Sequence, residues 1–301
     1  MSDLLIVELA KLQVEDYLAM QASALGFFWL YSMELLARRK RPGKLPPELF
    51  TDMFYWLFMP QVRVVSRILA ILLIVPIGLL FGQQIDPRLL QGYGPVARQP
   101  TWLIVIELIL LMDLLTYCIH RVFHTVPWLW RFHALHHSAK YIRWSTTGRV
   151  HPINEAINYL VTVVPLALVG FPISVVLPVS PIVIAFAIGA HTQWNVGFGP
   201  LSSVFVSPRF HHWHHTHSHE GGNKNFANVF SFWDRLFGTY YLPKDRMPET
   251  FGLDVDDVPE SYLGQLLYPF RGRKRQERPA ESRPSASPAM VRSLERRSDA
   301  P

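Results

Sequence analysis

Cysteine is almost absent from this chain: Cys118 is the only one in 301 residues. A disulfide framework is therefore excluded, as are a structural zinc site built on thiolates and an iron–sulfur cluster, which needs about four thiolates. The sequence also lacks a CxxCH haem-attachment motif, a GxGxxG nucleotide fingerprint and an HExxH zinc-protease motif. If the chain carries out redox chemistry, its electrons must come from a separate protein.

Charge is also scarce. Charged residues make up 17% of the chain and hydrophobic residues 50%, whereas ordinary soluble domains are roughly 25% charged. This composition predicts an integral membrane protein. The formal net charge of +6 is unevenly distributed along the chain, which indicates membrane topology and lipid contact rather than nucleic-acid binding.

Four apolar blocks are candidates for spanning the membrane, at 18–37, about 65–82, 102–119 and about 157–190. The fourth block is too long for one span and is interrupted at Gly170 and by the prolines that follow, so it predicts a hairpin of two helices. The sequence therefore predicts an all-α membrane protein with four to five spanning helices, one hairpin among them.

The basic residues predict the orientation. The segment between the first two spans carries seven basic residues: Arg38, Arg39, Lys40, Arg41, Lys44, Arg63 and Arg67. The segment between the second and third spans carries two, Arg88 and Arg98. By the positive-inside rule the first segment is cytoplasmic, and counting spans onward places everything after residue 190 on the same side. We expect a bacterial inner membrane or a eukaryotic endoplasmic reticulum, with a cytoplasmic, histidine-rich helical cap.

Histidine is concentrated on that predicted face. All 13 histidines lie at or after residue 120. Three motifs have helical spacing: 120-HRVFH-124 has i and i+4, while 133-HALHH-137 and 211-HHWHH-215 both have i, i+3 and i+4. Each spacing places imidazoles on one helical face, which suits metal binding.

These motifs supply eight candidate ligands, and a single metal takes about four to six. The candidates are His120, His124, His133, His136, His137, His211, His214 and His215. Eight imidazoles therefore suit two metals. His191, where the hairpin returns to the histidine-bearing face, is a ninth candidate.

Several polar residues are candidates for supporting roles. Asp113 lies inside an apolar span, where a carboxylate is costly and usually functional, so we expect it to orient a liganding imidazole; a water-satisfied aspartate is the alternative. Asn195 follows His191 by four residues and is a candidate tenth ligand. His151 is either a ligand or a substrate-side residue. His212 falls outside the repeated spacing, which predicts a supporting or solvent-facing role, as for His217 and His219.

The aromatic-rich segment 223–243 follows the last motif and is too polar at its start to span. It is predicted to pack as a cap under the metal site at the bilayer surface. Asp234 within it is expected to hydrogen-bond a liganding histidine or Arg235. The alternative is a surface loop in which Asp234 caps a turn.

The segments HRVFH, WRFHALHHS, SPRFHHWHH and WDRLFGTYY, in this order, resemble the membrane fatty acid hydroxylase and sterol desaturase superfamily over about residues 100–245. The resemblance implies a centre of two iron ions under a small helical bundle, with O2 as oxidant. The ligands that it implies are His120, His124, His133, His136, His137, His191, His211, His214 and His215. Some members carry HxxxH where this chain has 191-HTQWN-195.

The function implied by the resemblance is O2-dependent hydroxylation or desaturation of a C–H bond in a lipid that enters from the bilayer. A cytochrome- or ferredoxin-type donor protein would supply electrons at the cytoplasmic face. Which lipid is oxidised stays open at this point, as does the choice between hydroxylation and desaturation.

Two other functions compete with this interpretation. A metal-transport or metal-buffering membrane protein could also carry a histidine-rich cytoplasmic loop. Transport would require polar residues across the whole membrane, and the predicted spans offer only isolated ones such as Glu34, Glu107 and Asp113. A non-catalytic scaffold is disfavoured because all three histidine motifs are intact.

The chain divides into four predicted regions. Residues 1–99 form the N-terminal membrane helices with a basic loop, and 100–245 form the catalytic domain. Residues 246–270 are a C-terminal extension. Residues 271–301 are rich in Arg, Pro and Ser and nearly free of large apolar residues, so they are predicted to be a disordered tail.

Overall fold

Every regular element among the described residues is helical. The structure is a computed structural model that describes residues 47–80, 91–194, 196–255 and 257–271, together with scattered residues between 14 and 32. The α-helices are α1 (Pro47–Leu80), α2 (Thr101–Thr125), α3 (Pro127–His137), α4 (Pro152–Val169), α5 (Ile173–Ala190), α6 (Pro208–His214), α7 (Phe232–Leu236) and α8 (Tyr262–Leu267). Short 3₁₀ turns cover Val96–Arg98, Trp144–Gly148, Gly199–Ser203 and Tyr268–Phe270.

Four of these helices are long and apolar enough to cross a membrane. The candidate spans are Glu48–Leu73 within α1, the whole of α2, and the two helices α4 and α5. This confirms the predicted all-α class. The predicted first span, 18–37, lies for the most part outside the described residues.

The second predicted span was placed too late in the sequence. The structure begins α1 at Pro47, whereas the sequence predicted a basic connecting segment there and a second span that begins at about residue 65. The charges that interrupt the apolar pattern are paired: Asp52 binds Arg149 at 2.6 Å, both nearly fully buried, and Arg63 binds Glu155 at 3.1 Å. Because these partners come from distant parts of the chain, the sequence pattern does not reveal that the charges are neutralised.

The predicted hairpin is confirmed as α4 and α5. Gly170 ends α4 with a φ of 107°, a left-handed conformation that glycine adopts without strain. The turn is held at its outer side by Tyr93, whose backbone N–H donates to the Gly170 carbonyl at 3.0 Å. Helix α2 packs against both arms of the hairpin, with Leu108 and Val163 buried between them.

The start of α1 lies at the same end of the bundle as the histidine motifs. Trp56 packs on Trp144 and donates its indole N–H to the Ser145 carbonyl at 3.0 Å. The segment around Tyr93 lies at the opposite end, beside Gly170. The start of α1 and the histidines therefore belong to one end of the bundle.

The described residues up to Pro269 belong to one compact unit, and a second unit begins at Phe270. Only Phe270 and Arg271 of the second unit are described. The predicted disordered tail beyond Arg271 thus lies outside the described residues.

Candidate metal centre

Nine imidazoles gather into two groups at one end of the helical bundle. Cluster one contains His120, His124, His133, His137 and His214, and cluster two contains His136, His191, His211 and His215. Within each cluster, one ring nitrogen from every residue lies within 4.8 Å of the others. These nine are the residues that the sequence predicts as ligands.

Local sequence signals place the histidine-bearing helices. Pro127 occupies the first turn of α3, where a proline costs no helical hydrogen bond. Helix α6 begins after Ser207, whose side chain accepts a hydrogen bond from the Phe210 N–H at 3.2 Å, and Pro208 follows it. Both helices are short, so their histidines lie close to the helix ends and to the neighbouring loops.

The two HxxHH motifs divide their histidines between the clusters. In α3, His133 and His137 belong to cluster one, while His136 between them belongs to cluster two. The second motif reverses this pattern, since only its His214 belongs to cluster one. The ring of His137 stacks on that of His215, with centroids 4.5 Å apart, so the two clusters adjoin.

Backbone carbonyls orient two rings of cluster one. His120 donates its Nδ1–H to the Phe226 carbonyl at 2.8 Å, and His214 donates its Nδ1–H to the Lys224 carbonyl at 2.7 Å. A carbonyl oxygen only accepts hydrogen bonds, so the proton of each neutral ring is on Nδ1. The Nε2 lone pair of each ring is thereby free for a metal.

Side-chain amides orient two further rings of the same cluster. The Nδ1 atom of His124 lies 3.2 Å from Asn223 Oδ1, and that of His133 lies 3.0 Å from Asn154 Oδ1. Both contacts again direct Nε2 into the cluster. Such partners fix the tautomer and the orientation of liganding imidazoles.

In cluster two the Nε2 atoms point at one another. His191 Nε2 lies 3.1 Å from the Nε2 atoms of His136 and His215 and 3.0 Å from that of His211. Because His191 donates its Nδ1–H to the Ala187 carbonyl at 2.7 Å, its Nε2 carries a lone pair. These nitrogen spacings suit a shared cation. When two nitrogens each lie about 2.1 Å from an ion and the angle between the two bonds is about 90°, the nitrogens are about 3.0 Å apart.

Burial favours the neutral form of the cluster histidines that lie outside the candidate spans, because it lowers their pKa. It lowers the pKa of His191 to about 3. Burial is also the main cause that holds the pKa well below the usual range at His133, His136, His137, His211, His214 and His215. Neutral imidazole is the form that binds a metal, so the site has its ligands in the binding state at neutral pH.

Unpaired buried nitrogens mark the interior of cluster one. The Nε2 atoms of His124, His137 and His214 are buried and have no hydrogen-bond partner within the described residues. Buried polar atoms without partners are rare, because each costs about 1–3 kcal/mol. A metal ion bound by these nitrogens would remove that cost, so the residues present fit a metal pair.

The prediction for Asp113 is wrong. Its carboxylate accepts backbone N–H groups of Asn228, Val229 and Phe230 at 3.1, 2.8 and 2.7 Å, and binds no histidine. Asp113 lies about two turns before His120 on α2, which leaves it short of the imidazoles. The buried carboxylate instead holds a loop against the helix.

The prediction that Asp234 hydrogen-bonds a liganding histidine or Arg235 is also wrong. The carboxylate accepts the backbone N–H groups of Phe226 and Ala227 at 2.8 and 2.9 Å and the Thr239 hydroxyl at 2.7 Å. Burial raises the pKa of Asp234, and the three donors oppose that shift by stabilising the charged form. Its contact with cluster one is indirect, through the backbone of Phe226.

The remaining histidines lie outside both clusters. His151 caps α4, where its Nδ1 accepts the Ile153 N–H at 3.1 Å and its Nε2 donates to the Leu266 carbonyl at 3.1 Å. His212 donates its Nε2–H to the Thr192 carbonyl at 2.9 Å. His219 is 75% exposed at its side chain. Asn195, the candidate tenth ligand, lies outside the described residues.

The sequence did not indicate which groups orient the liganding rings. Two of them, at Lys224 and Phe226, are backbone carbonyls, which every residue has and which therefore give no sequence signal. The amides of Asn154 and Asn223 are visible in the sequence, but they are far in sequence from the rings that they contact. Only the fold brings these groups to the histidines.

Comparisons with known proteins agree with this site. Residues 105–239 match the fatty acid hydroxylase family. The ornithine lipid hydroxylase OlsE of Rhizobium tropici is 34% identical over 161 residues, which cover 54% of this chain and 48% of that protein. The alkylglycerol monooxygenase of Caenorhabditis elegans is 29% identical over 158 residues, 52% of this chain and 30% of that protein. The human alkylglycerol monooxygenase is 29% identical over 131 residues, 44% of this chain and 29% of that protein.

No solved structure matches the chain at a significant level. The chain spans about half the length of the ornithine lipid hydroxylase and under a third of the nematode monooxygenase. The stretch that matches the family contains all nine histidines of the two clusters. Residues 105–239 are therefore similar to the fatty acid hydroxylase family, as the order of the histidine motifs predicts.

Proposed function

We propose that this chain is a membrane-bound, O2-dependent di-iron monooxygenase that hydroxylates a C–H bond of a membrane lipid. The observation that carries the proposal is the pair of adjoining imidazole clusters at one end of a bundle with four candidate spanning helices. The relatives named as a lipid hydroxylase and as monooxygenases support the reaction class.

Cluster one would hold one metal ion and cluster two the other. Imidazole ligands suit iron, zinc and copper, so the choice of iron rests on the hydroxylase family rather than on the ligands. Bound iron supplies the activation of O2 that attack on an unactivated C–H bond requires. No carboxylate belongs to either cluster among the described residues, unlike the Glu-based centres of soluble di-iron bundles.

The protein's own contribution is orientation and exclusion of water. Four of the five rings in cluster one have a fixed tautomer, because their Nδ1 atoms are hydrogen-bonded. Apolar side chains surround the rings: Phe123 stacks on His133, and Phe226 contacts His120, His124 and His214. An apolar shell of this kind limits solvent access to a metal centre.

The substrate is proposed to be a lipid with a polar head group, whose acyl or alkyl chain reaches the site from the bilayer. The relatives' names include an ornithine lipid and an alkylglycerol as substrates. The clusters lie where α2 and α5 end. The acyl or alkyl chain of a lipid that lies among the candidate spans can therefore approach them without leaving the hydrocarbon core of the bilayer.

A reconstitution experiment tests the reaction. Purified protein in vesicles that contain ornithine lipid or alkylglycerol is given reductant, a donor protein and isotopically labelled oxygen gas. We expect a lipid product that gains one labelled oxygen atom, and none without O2. A product that loses two hydrogen atoms without gaining oxygen would identify a desaturase and contradict hydroxylation.

Metal analysis separates the enzyme from a metal transporter or buffer. The purified active protein should contain about two metal ions per chain, given the usual coordination numbers. The buried imidazoles favour this result, since a buffering loop would expose its histidines. Weak and variable occupancy, or transport of metal into vesicles, would support the alternative.

The orientation of the chain is part of the proposal. With the histidine end on the cytoplasmic side, reporter fusions at residue 45 and after residue 245 should both report cytoplasm. A fusion at residue 92 should report the opposite side, because Tyr93 lies beside Gly170 at the far end of the bundle. A cytoplasmic signal at residue 92 would contradict this orientation.

We also propose a separate cytochrome- or ferredoxin-type electron donor, since the chain has no redox cofactor motif of its own. Exposed Arg246 lies with its guanidinium 5.2 Å from the ring centroid of Trp213, the residue before His214. A cation at the rim of a docking surface mainly affects association rate and salt dependence. Arg246→Glu should therefore slow donor-supported turnover and weaken its dependence on salt, with no change when a small chemical reductant replaces the donor.

A further inference from the structure

One short segment of the chain orients most of cluster one. Asn223, Lys224 and Phe226 accept the Nδ1–H groups of His124, His214 and His120, respectively. Three of the five rings thus depend on a segment of four residues, Asn223–Phe226. We call these residues the orienting segment. The rings that it contacts come from two different helices, α2 and α6.

Asn225 fixes the centre of the orienting segment. It is fully buried, and its φ of 61° is the one positive value at a non-glycine residue among the described residues. Its amide donates to the carbonyls of Phe210 and Tyr241 at 2.8 and 2.7 Å and accepts the Tyr241 N–H at 2.7 Å. Asparagine is one of the few residues that tolerate this conformation, and its amide pairs with the two carbonyl acceptors and the one N–H donor around it.

Asp234 fixes the end of the same segment. Its carboxylate binds the N–H groups of Phe226 and Ala227, and its side chain is held in turn by the hydroxyl of Thr239. The Phe226 carbonyl and the Ala227 N–H belong to the same planar peptide group. Fixing that N–H therefore also fixes the direction of the carbonyl. That carbonyl is the acceptor for His120.

We propose that Asn225 and Asp234 are positioning residues of cluster one, which act on its metal ion through the orienting segment and leave cluster two unaffected. The proposal rests on the two-metal centre of the proposed function. Selectivity follows from the contacts: among the rings of cluster two, His191 is oriented by the Ala187 carbonyl on α5, far in sequence from the orienting segment. A role in folding alone would weaken both clusters.

A cobalt titration tests this selectivity. Metal-free, full-length protein in detergent is titrated with Co²⁺, and binding is followed by visible absorbance. His120→Ala and His191→Ala identify which binding step belongs to which cluster. This measurement requires no lipid turnover, so its outcome is independent of whether the chain hydroxylates a lipid.

Two variants probe the positioning residues. Asn225→Gly permits the same backbone conformation and removes the amide, and Asp234→Asn keeps the size and removes the charge. Each should weaken Co²⁺ binding at cluster one about 10–100-fold, the usual effect of losing a group that orients a ligand. Binding at cluster two should be unchanged in both variants.

Asn228→Ala is the matched control. It removes an asparagine side chain from the same loop, but that side chain donates to the Val183 carbonyl and not to the orienting segment. Both binding steps should match those of the unmodified protein. Unchanged binding at cluster one in Asn225→Gly and Asp234→Asn, or equal weakening of both clusters, would overturn the proposal.

Discussion

In cluster one, four of five imidazoles donate Nδ1–H groups to protein acceptors, whereas in cluster two only His191 does so. The Nδ1 atoms of His136, His211 and His215 are buried and have no hydrogen-bond partner within the described residues. The two clusters therefore use the same ligand chemistry with different support. Hydrogen bonds orient the rings of cluster one, and ring-to-ring packing orients most of cluster two.

The packing in cluster two is close. The rings of His191 and His211 meet edge to face, with centroids 4.3 Å apart, and those of His136 and His215 do so at 4.7 Å. Aromatic rings favour this arrangement. Packing constrains the ring planes, but it does not select which nitrogen carries the proton. The comparison indicates that cluster one is the more preorganised of the two candidate metal sites.

The largest effects are expected from neighbouring ligands that serve different clusters. His214→Ala and His215→Ala should both abolish turnover and reduce bound metal from about two ions to about one. Cobalt titration should show the loss of a different binding step in each. His219→Ala is the control, because this exposed side chain lies outside both clusters. If His219→Ala lost as much metal as His214→Ala, the division into two clusters would be wrong.

A smaller effect is expected from an orienting amide. Asn154→Ala removes the acceptor of His133 Nδ1 and should weaken metal binding at cluster one about 10–100-fold, with cluster two unchanged. Metal titration measures both steps. Asn158→Ala, one turn further along α4, is the matched control. An equal loss of affinity at both clusters would show that hydrogen-bonded orientation is not specific to cluster one.

The order of metal binding sharpens the comparison further. Cluster one has five ligands, four of them oriented, so it should bind its ion at least about 10-fold more tightly than cluster two. Metal-free protein should therefore fill cluster one first. Comparison with His214→Ala and His215→Ala, each of which lacks one binding step, identifies which step comes first. If cluster two filled first, ring packing would be the stronger means of preorganisation.

The smallest effect on the metals is expected from His212, a buried histidine that belongs to neither cluster. His212→Ala removes the donor to the Thr192 carbonyl and should lower the free energy of unfolding by about 1–3 kcal/mol. Chemical denaturation in detergent measures this change. Both metals should be retained, and the loss of either would mean that His212 contributes to a cluster.

Helical periodicity made much of the site predictable. The i, i+3 and i+4 spacings are local, so they predicted eight of the nine clustered histidines before the fold was known. His191 was predicted from its place at the end of the hairpin, whose turn Gly170 marks in the sequence. Contacts between distant segments were not predictable. The acceptors of the His120, His124 and His133 rings, the ion pair of Asp52 with Arg149 and the partners of Asp113 all lie far apart in sequence.

Each HxxHH helix contributes to both clusters, and this constrains the distance between the clusters. His214 and His215 are adjacent residues, about 1.5 Å apart along the helix axis, yet they belong to different clusters. Helix α3 links the same two clusters through His136 and His137. Moving the clusters apart would require unwinding both helices. The helical rise would therefore also fix the spacing of the two proposed metal ions.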